Sequence, residues 1–119
     1  MKFIKPKRMP EANIQAELYR RLRSYNIPCC LEYRIKLPNG TGYCRADIVV
    51  IDGDSNIACI IEVKSRIKKK KPYEAGRQYQ NYESLGIPFM YCMGWWEIEQ
   101  TMKSVLQLSA LEEQTNNKE

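Results

Sequence analysis

Three charged side chains interrupt stretches that are otherwise apolar. Asp47 opens the run Asp47-Ile48-Val49-Val50-Ile51, and Glu62 and Lys64 stand two apart in Ile60-Ile61-Glu62-Val63-Lys64. In a strand, residues two apart share a face, so Glu62 and Lys64 project together while Ile61 and Val63 point the other way. Burying such charges is costly unless they are paired or hold a cation. Two carboxylates with the backbone carbonyl of Val63 between them form an oxygen-rich site that suits magnesium or manganese. Lys64 adds what a metal lacks, an amine that orients or deprotonates an attacking water and offsets charge on a phosphate. Such a set points to metal-assisted phosphodiester hydrolysis.

The elements around these residues must bring them together. Pro10 precedes a helical stretch from Glu11 to Tyr25, with Ile14, Leu18, Leu22 and Tyr25 at helical spacing and Asn26 as a left-handed stop. Cys29 to Leu37 reads as a strand, Pro38-Asn39-Gly40 as a turn, and Tyr43 to Ile51 as a buried strand. Asp52-Gly53-Asp54 is a second turn signal, followed by the strand Ile57 to Val63. If these two strands pair through that turn, Asp47 near the start of one approaches Glu62 near the end of the other. After the basic run Arg66 to Lys71 and Pro72, a helix from Tyr73 to Leu85 stops at Gly86. Ile87 to Met93 is a further strand, and the last helix runs from Trp96 to Leu111. The expected fold is therefore α/β, a three-strand meander and a helical crossover giving a mixed sheet flanked by helices.

The composition narrows the chemistry. The chain has 119 residues, 44% hydrophobic and 28% charged, which suits one globular domain. A basic arm over residues 1–10, a domain over 11–111 and a polar tail over 112–119 are expected. No apolar run is long enough to span a membrane, so a soluble cytoplasmic protein is expected. Histidine is absent and the five cysteines include no Cys-x-x-Cys pair, which disfavours structural zinc, and the missing histidine removes the usual nucleophile triads. Cys29, Cys30, Cys44, Cys59 and Cys92 read as packing residues. Catalysis in such a chain runs on carboxylates, lysine and metal. The net charge of +5 points to an anionic partner such as nucleic acid.

Asp47, fourteen residues of hairpin and then Glu62-x-Lys64 resembles the PD-(D/E)xK nuclease superfamily of restriction enzymes, Holliday-junction resolvases and RecB-type exonucleases. The resemblance covers residues 11 to 93, and Ala46 stands where the family pattern has proline, a position that is not a ligand. It implies a restriction-endonuclease-like core and a magnesium-dependent (or manganese-dependent) hydrolase acting on DNA; the small size, without room for a processivity domain or motor, favours an endonuclease over an exonuclease, acting alone, as a homodimer or as a larger homo-oligomer. Asp47 and Glu62, with the Val63 carbonyl, would hold metal and Lys64 would assist the water. Gln78-Tyr79-Gln80-Asn81-Tyr82 is similar to the glutamine–tyrosine motif of RecB-like and type I restriction nuclease domains, which borders the site; Gln78 and Tyr82 fall on one helix face. Glu11-Ala12-Asn13-Ile14-Gln15 looks like the helix start of virus-type replication-repair nucleases, whose first helix gives a glutamate to the site. Glu11 is expected inward, on the face of Leu18 and Leu22, with Glu17 as the alternative. Lys68, Lys69 and Lys70 follow Lys64 closely enough to meet phosphates.

Plainer readings stand beside these. Asp47 alone could close a hairpin, and Glu62 with Lys64 could sit on an edge strand, where charge prevents aggregation. Glu11 could be a first-turn charge on the helix dipole. Trp95 and Trp96 anchor the last helix more readily than they stack on bases. The rival functions are a non-catalytic DNA-binding or accessory module of the same fold, in a restriction, repair or mobile-element system, and a structural domain with a salt-bridge network.

Overall fold

A computed structural model of the chain describes residues 10–40, 42–65 and 76–116. The elements are α1 (Glu11–Ser24), β1 (Cys29–Lys36), β2 (Tyr43–Ile51), β3 (Ile57–Lys64), α2 (Arg77–Leu85), β4 (Phe89–Met93) and α3 (Ile98–Asn116). Short 3-10 turns lie at Pro38–Gly40 and Trp95–Glu97. Lys68, Lys69 and Lys70 lie outside the described residues, as does most of the basic arm. The final helix runs on to Asn116, beyond the Leu111 expected from the apolar pattern. Among the described residues no helix is long and apolar enough to cross a membrane.

Turn chemistry sets the boundaries. Asn26 takes φ 58 and Gly86 φ 67, the left-handed conformation that ends a helix and that Asn and Gly adopt most readily. Gly94 takes φ 110, and a Cβ there would meet the Trp96 ring at 2.6 Å. Only glycine fits at that corner, where the chain leaves β4 for α3.

The four strands form one sheet in the order β1-β2-β3-β4. β1, β2 and β3 pair antiparallel and β4 joins β3 in parallel through the α2 crossover. The protein is thus α/β, with a mixed four-stranded sheet and helices on both faces. One face carries Ile48, Val50, Cys59, Ile61 and Val63, buried under Ile14, Leu18 and Leu22 of α1 and Ile98, Met102 and Val105 of α3. The other carries Ile35, Ala46, Val49 and Ile60 under Tyr82 of α2. Each fully buried Leu or Ile contributes roughly 1.5–3 kcal/mol, so these two layers hold the sheet on which the charged residues sit. Cys29, Cys59 and Cys92 are buried packing residues as expected, whereas Cys30 is exposed and Cys44 only half-buried, so the Cys29–Cys30 pair does not pack as a unit. A strand's alternation gives the physical reason: when Cys29 faces the core, its neighbour faces out.

Candidate active site

β2 breaks its own alternation at Asp47. Ala46 lies in the core beneath α2, yet Ile48, two residues on, lies in the core beneath α1 and α3. Residues two apart in a regular strand share a face, so the strand turns over at Asp47. Among the described residues of β2, Asp47 alone has no ladder partner on either neighbouring strand. Opposite it, between the pairs Leu31↔Ile48 and Tyr33↔Ala46, stands Glu32 with φ 53. A left-handed glutamate stores strain, and such positions cluster at functional sites.

Side chains take over the polar contacts that the irregular backbone of Asp47 makes. Its amide donates to Oε1 of Glu62 at 3.0 Å, and its carbonyl accepts from Nε2 of Gln15 at 2.8 Å. In return Val63 N–H donates to Oδ2 of Asp47 at 2.8 Å. The two carboxylates expected to meet across the β2–β3 hairpin therefore do meet. Lys64 lies two residues beyond Glu62 on β3, half-buried, and its charge favours the ionised form of Glu62.

Helix α2 closes over Glu62 from the other side. Gln78 Nε2 donates to Oε2 of Glu62. The Tyr82 hydroxyl lies 3.2 Å from Oε1 of Glu62 and 3.1 Å from the Arg45 carbonyl, with one proton to give to either. One helical turn separates the two side chains, which is why both reach the same carboxylate. Glu62 is 3% exposed. Burial first, and then the Asp47 charge, push its carboxyl up to about 8, and Lys64 offsets this only in part. Tyr82 is raised far above its ordinary value by the same burial and by the Glu62 charge, so its hydroxyl stays protonated as a donor.

The two candidate glutamates of α1 part company. Glu11 is exposed, not turned inward with Leu18 and Leu22 as its helical position suggested. It stands in the first turn, where the side chain can swing past the helix end, and Oε1 accepts from the Ser65 amide at 3.2 Å, just beyond Lys64. Glu17 instead pairs with Arg20 at 2.7 Å and Arg21 at 2.9 Å. Those guanidiniums hold its carboxyl down at about 2. The structure thus brings Asp47, Glu62, Lys64, Gln78 and Tyr82 together, places Glu11 at the end of β3, and leaves Glu17 on its own helix.

Among the described residues no three His, Cys, Asp or Glu side chains converge into one metal-sized group. The acidic set is a pair, Asp47 with Glu62, and Glu11 does not complete it. The pair fits a hard divalent cation by its donor chemistry: two carboxylates side by side, one kept from ionising by burial and by the other's charge, are relieved by a cation held between oxygens. Asp47, Glu62 and the Val63 carbonyl are the groups that would hold it.

Two participants escape the sequence. Gln15 lies one turn after Glu11, and that i, i+4 spacing is the only signal that it shares the helix end facing Asp47. Glu32 accepts from Gln15 at 3.2 Å and pairs with Arg45 at 2.7 Å; its left-handed backbone has no signature in a strand-forming run. A cavity of about 900 Å³ lies along the outer edge of β4 between α2 and α3 and includes none of these site residues. Comparison with protein-family models, curated protein sequences and solved structures returned no match.

Proposed function

We propose that this chain is a PD-(D/E)xK-type nuclease domain, a restriction-endonuclease-like fold that hydrolyses DNA phosphodiesters with magnesium or manganese. One observation carries the reading. A carboxylate pair joined across adjacent strands, Asp47 with Glu62, sits beside Lys64 and under Gln78 and Tyr82, which bond the same glutamate. Each residue then has a task. Asp47, Glu62 and the Val63 carbonyl would hold the cation. Gln78 and Tyr82 fix the Glu62 carboxylate, so its geometry does not depend on the cation. Lys64 orients the attacking water and offsets charge on the phosphate. Glu11, at the amide after Lys64, helps set where β3 ends and the amine begins. A cation held there would supply a water of lowered pKa and stabilisation of charge on the phosphate oxygens. A single site cuts one strand, so endonucleolytic nicking is the expected first product, and two copies would be needed for a concerted double-strand cut.

The test is conversion of supercoiled plasmid by purified protein with magnesium, manganese or chelator. Metal-dependent nicking that drops at least about a hundredfold in Lys64→Ala and Asp47→Ala supports the reading. No cleavage of supercoiled, branched or single-stranded DNA in either metal sinks it.

One observation favours the non-catalytic alternative. Both oxygens of Glu62 already accept hydrogen bonds, from Asp47, Gln78 and Tyr82, so protein donors satisfy the carboxyl group without a cation. A DNA-binding or accessory module of the same fold would keep that network and gain no stability from divalent cations.

A further inference from the structure

The β1–β2 hairpin runs past Asp47 into a stretch where one sheet face is uncovered. Cys44 and Ala46 of β2 and Ile35 of β1 turn towards the core beneath α2. Alternation therefore sends Arg34, Lys36, Tyr43 and Arg45 to the opposite face. There Arg34 stands directly opposite Arg45, and Lys36 opposite Tyr43. All four are exposed or largely so, Tyr43 at 56% and the Arg45 side chain at 70%.

Two features make this more than a solvated face. Like charges directly opposite one another destabilise a sheet, yet two arginines are kept in register, and Glu32 offsets only one of them. The Arg34 guanidinium lies 4.3 Å from the centroid of the Tyr43 ring, a cation–π contact that holds a flat cation and a flat aromatic as one unit. Glu32, Arg34, Tyr43, Cys44 and Arg45 line a hollow of about 520 Å³. A phosphate between the guanidiniums relieves their repulsion, and the outer face of Tyr43 offers a surface for a base.

The surface is continuous with the candidate site. Arg45 contacts Glu32, Glu32 contacts Gln15, and Gln15 holds the Asp47 carbonyl, at 2.7, 3.2 and 2.8 Å. Along β2, Tyr43 lies four residues from Asp47, roughly 13 Å. We infer that Arg34, Lys36, Tyr43 and Arg45 form a track for single-stranded or unpaired nucleic acid, phosphates on the cations and a base stacked on Tyr43, leading towards Asp47. An unpaired strand is specified because a base within a duplex cannot expose its face to Tyr43. The inference deepens the nuclease reading but is measured without cleavage.

The experiment is fluorescence anisotropy of a short labelled thymidine oligomer in chelator, against salt, for the full chain and exposed-face variants. Arg34→Ala with Lys36→Ala should flatten the dependence of log affinity on log salt by about 0.7 per lost phosphate contact. Tyr43→Ala should weaken binding roughly tenfold while Tyr43→Phe keeps it. Absence of binding by the wild type, or wild-type affinity in all three variants, overturns the track. So does a Tyr43→Ala effect that is equal on duplex, or a dimer in solution that these variants dissociate, since the face would then belong to a second copy. Plasmid nicking separates the two ideas. Cleavage with unchanged variant affinities removes the track alone, whereas variant-sensitive binding without any cleavage removes the nuclease and keeps the track.

Discussion

The amide of Asp47 donates to Oε1 of Glu62 at 3.0 Å, and the amide next to Glu62 donates back to Oδ2 of Asp47 at 2.8 Å. This exchange locks two carboxylates into one register across β2 and β3. It also sets two like charges together in a place where one of them is nearly sealed from water. The hydrogen bonds favour the arrangement while burial and charge oppose ionisation, and Glu62 resolves the conflict by keeping its proton up to about pH 8.

That shift has a sign. In the unfolded chain Glu62 returns to its ordinary value of 4.5, so between 4.5 and about 8 the folded state binds more protons. Its stabilising contribution is fully present below 4.5 and is lost as pH rises through about 8. Urea unfolding in chelator should therefore show wild-type stability falling between about pH 5 and pH 8, at up to about 1.4 kcal/mol per unit. Glu62→Gln should flatten that slope. Identical slopes in the two proteins would rule out Glu62 as the titrating group. Glu17, held down at about 2 by Arg20 and Arg21, acts in the opposite sense and only below 4.5, outside this window.

A cation that binds the folded pair alone must stabilise the fold by mass action, by about 2.7 kcal/mol at a concentration one hundred times its dissociation constant. Magnesium or manganese should raise the melting temperature of the wild type at about pH 8, and Asp47→Ala should abolish the rise. A metal-independent melting temperature would favour the satisfied, non-catalytic network.

Tyr82→Phe isolates one hydroxyl. Tyr82 is fully buried, and phenylalanine keeps its packing against Phe89, 5.6 Å between ring centroids. The change should cost about 1–3 kcal/mol by removing the single hydroxyl proton that serves either the Arg45 carbonyl or Oε1 of Glu62, and should lower cleavage further by loosening Glu62. Tyr82→Ala would add a core cavity and is the poorer test. A Phe variant as stable and active as wild type would show that Gln78 and the Asp47 amide suffice to position Glu62.

Glu11→Ala and Glu17→Ala decide between the two helix carboxylates. Glu11 contacts the amide beyond Lys64, so its loss should reduce nicking without unfolding the chain. Among the described residues Glu17 pairs with Arg20 and Arg21 of its own helix, and its loss should leave nicking unchanged. The reverse pattern would transfer the role to Glu17.

Much of this arrangement is written in local signals. Asn26, Asp52-Gly53 and Gly86 mark real chain reversals because their residue types tolerate the backbone those turns need. The meeting of Asp47 with Glu62 follows from hairpin register, and that of Gln78 with Tyr82 from helical spacing. The irregularities are not written so. Asp47 turns β2 over, Glu32 adopts a left-handed backbone, and Gln15 fills in for a ladder partner only because three elements close on one point. Glu11 shows the same limit: helical phase placed it inward, but at the first turn the side chain is free to reach another segment. These are tertiary effects, and no window of the sequence contains them.

The bond between Glu11 and the Ser65 amide spans 54 positions, and Gln78 and Tyr82 come later still. A ribosome releases the chain from its N-terminus at roughly 5–20 residues per second. For the first part of its life the nascent polypeptide thus carries Asp47, Glu62 and Lys64 without the helix that seats the glutamate. On the proposed nuclease reading the chemistry waits on α2, which is made after all three residues, and a chain whose α2 is still to come would be a poor hydrolase of whatever nucleic acid surrounds it.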